Sequence, residues 1–476
     1  MTTGTAPGVA ADSDRIPWQV WRLAGVIVLG AFASGLDTSL VHVALEEIRS
    51  DLDSSLRVAQ WVASGYLLAL AVSLPLAGWL GDRYGVGRVW LFALAGFTVT
   101  SVLCAMSVSI EMLIAMRALQ GLCGGVLIPA GQTVLGRAVG AEKVGRVIAT
   151  LGIAVTLAPA LGPVLGGVLL HTTSWPWLFA INLPIGVIGL ALGLRYVPRG
   201  EAQRGRTLDL PGLALLSVGL PSGLYGLTES VGGDGVDPVA AGALVLGVVL
   251  LASYVRHAGR VPEPVLRLGL FAQPRFAASV AAACFTGMLM FGVGLVIPLY
   301  FQLLHGDGTI ETGLRLLSLG GGTALALPWC GRLVDRKGAG PVAVVGTAAC
   351  LVGSLALVAV PASLGDTWVM LLVLFVLGVA LAFGAVPPTI AAYKSVSAQN
   401  LSQATTQVNI VQRLGGALGG AVFTVILARW MVDDVETGFR AVFVSVAVVS
   451  LLAVLAALRL RSVERREAIP SPGLPG

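Results

Sequence analysis

The chain has 476 residues, 56% of them hydrophobic and only 12% charged. A soluble protein carries about 25% charged residues, and a soluble fold this long needs far more polar surface to cover its core, so the composition indicates a multispan membrane protein. The formal net charge of +5 sits in one set of loops, which excludes nucleic-acid binding as its explanation and makes it a topology signal.

The first 22 residues are polar and carry no apolar core ending in a cleavage site, so no cleaved signal peptide is expected. A spanning helix needs about 20 mainly apolar residues. Fourteen runs qualify: 23–45, 59–80, 88–108, 112–135, 148–170, 177–197, 210–228, 238–256, 276–301, 313–331, 341–360, 367–388, 408–431 and 439–459. The run 210–228 is short and Gly-rich. Alternate connections are basic: Arg83 with Arg88; Arg137, Lys143 and Arg146; Arg195 to Arg206; Arg256 to Arg275; Arg332, Arg336 and Lys337; and Lys394. The intervening ones carry Glu46 to Asp53, Glu111, Glu229 to Asp237, Asp307 with Glu311, Asp366, and Asp433 to Glu436. Positive charge marks the cytoplasmic side, which places both termini inside and requires an even number of spans.

The loop Gly78–Arg88 reads G-x-L-x-D-R-x-G in its first eight positions, with Gly78, Asp82, Arg83 and Gly85. The pattern returns 253 residues later at Gly331, Leu333, Asp335, Arg336 and Gly338. A second glycine pattern, Gly162, Gly166 and Gly167, returns at the same offset as Gly415, Gly419 and Gly420. Two unlike patterns at one offset imply two related halves. The expected organisation is a tail 1–22, a six-helix bundle 23–197, a segment 198–274 with two extra helices, a second bundle 275–461 and a tail 462–476. Residues 198–209 read as a solvated linker.

A charge in mid-bilayer costs at least about 2.5–3.5 kcal/mol, so a retained one is functional by default. Asp37 lies well inside the first span. Burial disfavours its charged form and a nearby cation favours it, and a carboxyl so balanced can take up and release a proton. Arg117 is the candidate partner; it shares a helix face with Gln120 and Gly121. It can bind a carboxylate or a substrate, or snorkel outward. His42 is about 140° from Asp37 around the helix and does not share its face. It reads either as a hydrogen-bonded structural residue or as a participant in proton traffic. Tyr66 lines a cavity or faces lipid. Trp175 and Trp177 read as anchors at a membrane boundary. In the basic turn, Asp82 can cap a helix or pair with an arginine, and such a cluster can latch two bundles in one state. Pro159, Gly162, Pro163, Gly166 and Gly167 stud the fifth span. Gly162 and Gly166 give a small-residue face for close helix packing, and the prolines remove backbone donors. Cys104, Cys123, Cys284, Cys330 and Cys350 show no paired spacing, so no disulfide frame, metal or cofactor is expected.

These motifs together resemble the major facilitator superfamily, specifically its fourteen-span drug:proton antiporter branch. Gly78–Arg88 is similar to the family's signature loop between helices 2 and 3. Arg117, Gln120 and Gly121 resemble its fourth-helix R-x-x-Q-G motif, whose arginine is implicated in proton coupling. Gly162-Pro163-x-x-Gly166-Gly167 resembles its fifth-helix antiporter motif, Leu36–Leu45 its first-helix motif, and Trp177–Gly186 the start of its sixth helix. The resemblance implies an all-α major facilitator fold in a bacterial plasma membrane. It implies a monomeric, proton-coupled exporter of small amphipathic compounds, with Asp37 as proton carrier and Arg117 as coupling partner. Gln120, His42 and Tyr66 would line the substrate cavity, and Gly78, Asp82, Arg83, Gly85, Arg88, Asp335 and Arg336 would gate it. Glu46, His42, Pro176, Val86 and Gly87 depart from the family's usual residues. Met290 stands 253 residues after Asp37, which points away from polycationic substrates. Two other readings stand: an exporter of the same fold dedicated to one metabolite, and a membrane sensor or enzyme. The second lacks a sizeable soluble domain and clustered histidines, since His42, His171, His257 and His305 are scattered.

Overall fold

Helices start where polar side chains or prolines can satisfy or replace free backbone donors. Ser55 Oγ accepts from Val58 N at 3.4 Å and Ser109 Oγ from Met112 N at 3.2 Å, opening α2 (Leu56–Tyr84) and α4 (Ile110–Thr172). Asp237 caps α8 (Pro238–Ala258), and Pro238 and Pro274 occupy first-turn positions where no backbone donor is missed. The computed structural model describes residues 16–202, 207–229, 237–359, 368–431 and 434–468. Arg15, Arg204, Arg206, Asp234, Asp366 and Asp433, expected in loops, lie outside these residues, as do most of both tails.

The remaining helices are α1 (Trp18–Asp51), α3 (Val86–Ala105), α5 (Pro176–Ala180), α6 (Asn182–Tyr196), α7 (Leu210–Glu229), α9 (Pro274–Leu304), α10 (Thr309–Lys337), α11 (Ala339–Ala359), α12 (Trp368–Lys394), α13 (Leu401–Trp430) and α14 (Val435–Ala468). Gly140, at φ 69°, breaks α4 into two arms. Among the described residues, twelve helical segments are long and apolar enough to cross a membrane. The second arm of α4 and helix α10 complete fourteen segments of spanning length. The three consecutive glycines 320–322 and Arg315 dilute the apolarity of α10.

The 253-residue repeat is visible in the backbone. Helix α2 ends at Tyr84 and α10 at Lys337; α3 begins at Val86 and α11 at Ala339. Helices α1 and α9 end at Asp51 and Leu304, the same distance apart. The N-terminal group packs α1, α2 and α3 on α4, with α6 against α1 and α3. In the C-terminal group, α13 and α14 pack on α9, and α12 on α10 and α11. Helices α7 and α8 pack mainly on each other, and α7 leans on α2 and α13, where Trp61 and Tyr225 stack at 6.4 Å.

The two groups meet along α4–α10 and α2–α13. The second arm of α4 runs against α10 through small residues: Gly145 lies on Asp335, Gly152 on Leu327 and Gly167 on Ile310. Helix α13 begins at Leu401, seven residues before the expected start. Its first turns are polar, yet Ser402, Gln403, Thr405, Thr406 and Gln407 are all buried between the groups. A run that reads as a loop is helical because the interface covers its polar atoms.

In the segment 198–209, expected as a solvated linker, Pro198 to Glu201 and Thr207 are exposed, while Asp209 is buried. Trp79 Nε1 donates to Thr207 O at 3.2 Å, and Asp209 Oδ1 accepts from Gly212 N at 2.9 Å and lies 2.7 Å from His257 Nε2. Trp175 is also buried and not a lipid-facing anchor. Its indole donates to Asp51 at 2.7 Å, while Trp177 is exposed.

Candidate functional site

Asp37 sits in the middle of α1 and is fully buried. Two helices, α4 and α6, supply three donors to its carboxylate. Arg117 Nη1 of α4 lies 2.5 Å from Oδ2, and Gln120 Nε2 and Asn182 Nδ2 lie 3.0 and 2.8 Å from Oδ1. Ser101 of α3 accepts from Gln120 at 2.6 Å and from Asn182 at 3.0 Å. Arg117 also donates through Nε to Val62 O of α2 at 3.1 Å, and its guanidinium lies 4.1 Å from the centroid of the Tyr66 ring. The Tyr66 hydroxyl bonds Ser34 at 3.1 Å. Five helices of the N-terminal group thus hold one ion pair in a dry site.

Small residues make this closeness possible. A Cβ on Gly121 would strike Tyr66 O, and one on Gly125 would strike Ser73 Oγ. Both glycines let α4 approach α2, which brings Val62 O within reach of Arg117. The glycine of R-x-x-Q-G therefore serves the arginine that precedes it by four residues.

Breaking a buried ion pair by neutralising one partner costs about 3–5 kcal/mol when the other charge is left unpaired. A proton arriving on Asp37 removes the counter-charge of Arg117 and weakens Oδ1 as the acceptor shared by the two amides. The site can therefore convert a protonation into a rearrangement of α1 against α4 and α6. Among the residues expected to line a cavity, His42 is exposed, whereas Tyr66 and Gln120 are closed to solvent in this conformation and turn their polar atoms into the network.

The Gly78–Arg88 turn closes one end of α2. Gly85 has φ 91°, and its counterpart Gly338 has φ 86°. A Cβ on Gly85 would meet Arg199 O at 2.6 Å, and one on Gly87 would overlap Pro198 O. Gly87, a departure from the family's basic residue, thus admits the chain that follows α6, and Arg88 N donates to Arg199 O at 3.3 Å. Asp82 pairs with Arg137 of α4 at 3.4 Å. Arg83 is half-buried and Arg88 and Arg336 are exposed. Asp335 reaches the other group. Its carboxylate accepts from the backbone N–H groups of Gly145 and Arg146, both at 3.2 Å, and from Lys394 Nζ at 3.1 Å. It caps the start of the second arm of α4.

Further bonds between the groups cluster at this same end. Ser402 Oγ donates to Gly78 O at 3.0 Å, Thr133 and Thr405 share a bond of 2.8 Å, and Gln132 Oε1 accepts from Tyr393 and Asn409 at 2.9 and 2.7 Å.

In the fifth span, Gly162 packs on Ser39 and Gly166 on Leu40 and Val43, so the small-residue face meets α1. Gly167 meets Ile310 of α10. The side chains of Pro159 and Pro163 lie outside the described ones. Gly415 and Gly419 likewise pack on α9, against Cys284 and Met288. The repeat holds in helix pairing but not in depth. The residue 253 after Ser39 is Gly292, which packs on Phe423. The second glycine face has slid along its partner.

Sequence reasoning missed Ser101, Asn182 and Arg413. Asn182 lies within the recognised sixth-helix motif, where a lone amide in an apolar run is the signal. Arg413 is a charge inside the expected span 408–431 and carried the same signal as Asp37.

A family model described as the Major Facilitator Superfamily matches residues 27–420. The chain is 32% identical over 423 residues to the "Multidrug resistance protein B homolog" of Mycobacterium tuberculosis, covering 88% of this chain and 78% of that one. It is 32% identical over 437 residues to the "Tetracenomycin C resistance and export protein" of Streptomyces glaucescens, covering 90% and 80%. The proton:xylose symporter XylE superposes with a TM-score of 0.66 at 15% identity, covering 94% of this chain and 96% of that one.

Proposed function

The chain belongs to the Major Facilitator Superfamily, and from that premise we propose that it is a proton-driven exporter of small amphipathic compounds in a bacterial plasma membrane. The observation that carries the reading is the buried Asp37–Arg117 pair with its amide donors. Relatives named for multidrug resistance and for tetracenomycin C export support the direction of transport. The chain is a transporter, not an enzyme.

Asp37 carries the proton. Its neutral form releases Arg117 from its counter-charge and loosens the hold of Gln120 and Asn182, and the repacking of α1 against α4 biases the two helix groups to rock about their interface. The basic end is cytoplasmic, with both termini inside. In the conformation described, the bonds at that end hold it shut, with Asp335 on the start of the second α4 arm as the latch. One inward proton at 100 mV supplies about 2.3 kcal/mol, roughly a 50-fold gradient of a neutral substrate. The transporter acts as a monomer, with one proton site per chain.

A second reading, export of a single compound made by the host, draws on the 32% identity to the tetracenomycin C export protein. A narrow profile across a compound panel would favour it.

The test uses everted vesicles with an imposed pH gradient and a panel of lipophilic compounds, comparing native protein with Asp37→Asn. Compounds that collapse the gradient with the native protein should leave it intact with the variant. Equal collapse by both would remove Asp37 from the coupling.

A further inference from the structure

Helix α13 carries Ser402, Thr406, Asn409 and Arg413 at spacings of four, three and four residues, which keeps them within about 60° of one another. The first three meet the N-terminal group. Ser402 bonds Gly78 O, Thr406 packs on Gly78, and Asn409 bonds Gln132. Arg413 is the next position along this seam. It is half-buried and has no hydrogen-bond or ion-pair partner among the described residues.

The arginine cannot escape to water along its own helix. It stands 12 residues from the start of α13 (413 − 401) and 17 from its end (430 − 413). At 1.5 Å per residue these are about 18 and 26 Å, far beyond the length of the side chain. The same depth excludes a phospholipid headgroup as its partner. The buried carboxylate of α1, Asp37, is occupied by Arg117, Gln120 and Asn182. Arg117 is paired with Asp37, and Arg315, about as far into α10 as Arg117 is into α4, is paired with Asp307 at 2.6 Å, so of these three arginines Arg413 is the one left as a surplus positive charge. A retained intramembrane charge is functional by default, and its missing counter-charge states what it awaits.

We propose that Arg413 is the recognition site for an anionic group on the exported compound. The substrate is an amphipath with an apolar body and one ionised acid, a carboxylate or sulfonate that the planar guanidinium binds through paired hydrogen bonds. This rests on the export reading and narrows its substrate class. Asp37 and Arg413 divide the work, the first carrying the proton in the N-terminal group and the second holding the substrate's charge from the C-terminal group.

Two fluorescent probes share one aromatic body. 8-Anilinonaphthalene-1-sulfonate carries a sulfonate and N-phenyl-1-naphthylamine carries none. Their binding is titrated to the full-length protein in zwitterionic-lipid nanodiscs, with empty discs subtracted. The native protein should bind the sulfonate at least about tenfold tighter than the neutral probe, as expected for a charge-assisted pair. Arg413→Gln should erase that preference and leave neutral-probe binding unchanged, which also certifies its fold. Arg413→Lys should keep part of it. The proposal is overturned by native protein without the preference, by absence of saturable binding, by a preference that survives Arg413→Gln, or by equal loss of both probes. Vesicle assays separate the two readings. Anion preference without drug-driven proton movement overturns the proton-driven reading and leaves the site standing, whereas Asp37-dependent proton movement with no anion preference does the reverse.

Discussion

Moving 253 residues along the chain from each member of the buried network gives Met290 for Asp37, Leu319 for Tyr66, Met370 for Arg117, Val373 for Gln120 and Val435 for Asn182. Only Ser101 keeps its type, as Ser354, which bonds Ser450 at 3.3 Å. The backbone repeats, but one group of helices encloses a charged network and the other fills the equivalent volume with hydrocarbon. Met370 is buried there, with Leu319, Val373 and Val435 packed on the same cluster. Fold and buried charge are therefore separable. The repeated helices need only volume at these positions, and on the proton-coupled reading proposed above a single charged cluster is enough to make one group respond to protons while the other serves as the body against which it moves.

The most damaging way to test that contrast is to give the N-terminal group the C-terminal residue. Arg117→Met leaves Asp37 buried without its cation, a loss of about 3–5 kcal/mol for a broken buried pair. Drug-driven proton movement in everted vesicles should fall more than about 100-fold. The double variant Asp37→Met with Arg117→Met removes both charges and should regain most of the thermal stability, because hydrophobic replacement of a buried pair is often neutral. It should not regain transport. Activity within a few-fold of native in either variant would collapse the distinction between the two groups.

The converse change tests the hydrocarbon side. Met370→Arg places a guanidinium where Leu374, Leu377 and Phe301 are fully buried neighbours in the cluster, at a cost of at least about 2.5–3.5 kcal/mol. The yield of folded protein by fluorescence-detected size exclusion should drop sharply. Adding Met290→Asp should restore part of it if the two positions face each other as Asp37 and Arg117 do. No restoration would mean that the repeat does not reach side-chain register at this depth.

That register is where the sequence stopped being legible. The offset of 253 was readable from Gly78 and Gly331, and the helix ends obey it because a turn with a positive-φ glycine must sit at a helix junction. Asp37 and Arg117 were readable because charges in apolar runs are conspicuous. Asn182 and Ser101 were not, since small polar side chains carry no such cost and only the fold brings them to Asp37. The slide of Gly415 along α9 was invisible, because glycine spacing specifies a close approach but not the partner's depth. The early turns of α13 were not legible, because polar residues buried against another helix group look, in sequence, like residues facing water.

The two motif turns share a backbone and differ in crowding, which gives a smaller effect. Alanine at either φ costs about 1–3 kcal/mol in a backbone region that is essentially reserved for glycine. Gly85 additionally faces Arg199 O at 2.6 Å, whereas the nearest atom to a Cβ on Gly338 is Glu464 Oε2 at 3.4 Å. Gly85→Ala should therefore lower the apparent Tm more than Gly338→Ala. The reverse order would show that the chain after α6 yields easily and that the N-terminal turn is the less constrained of the two.

The finest contrast lies between the aspartates of those turns. Asp82 pairs with Arg137 inside its own group, while Asp335 accepts two backbone N–H groups across the interface as well as Lys394. Losing a cap of this kind costs about 1 kcal/mol, and that cost falls on the closed state alone, because the two groups part when this end opens. Asp335→Ala should then raise the population open at the basic end about fivefold. A cysteine placed at Thr133, which bonds Thr405 across the same seam, reports this as faster labelling by a membrane-impermeant thiol reagent applied from that side. Asp82→Ala should accelerate labelling less. Equal acceleration would mean that Asp82 bears on the interface as strongly as Asp335, and the two turns would then act as one symmetric latch.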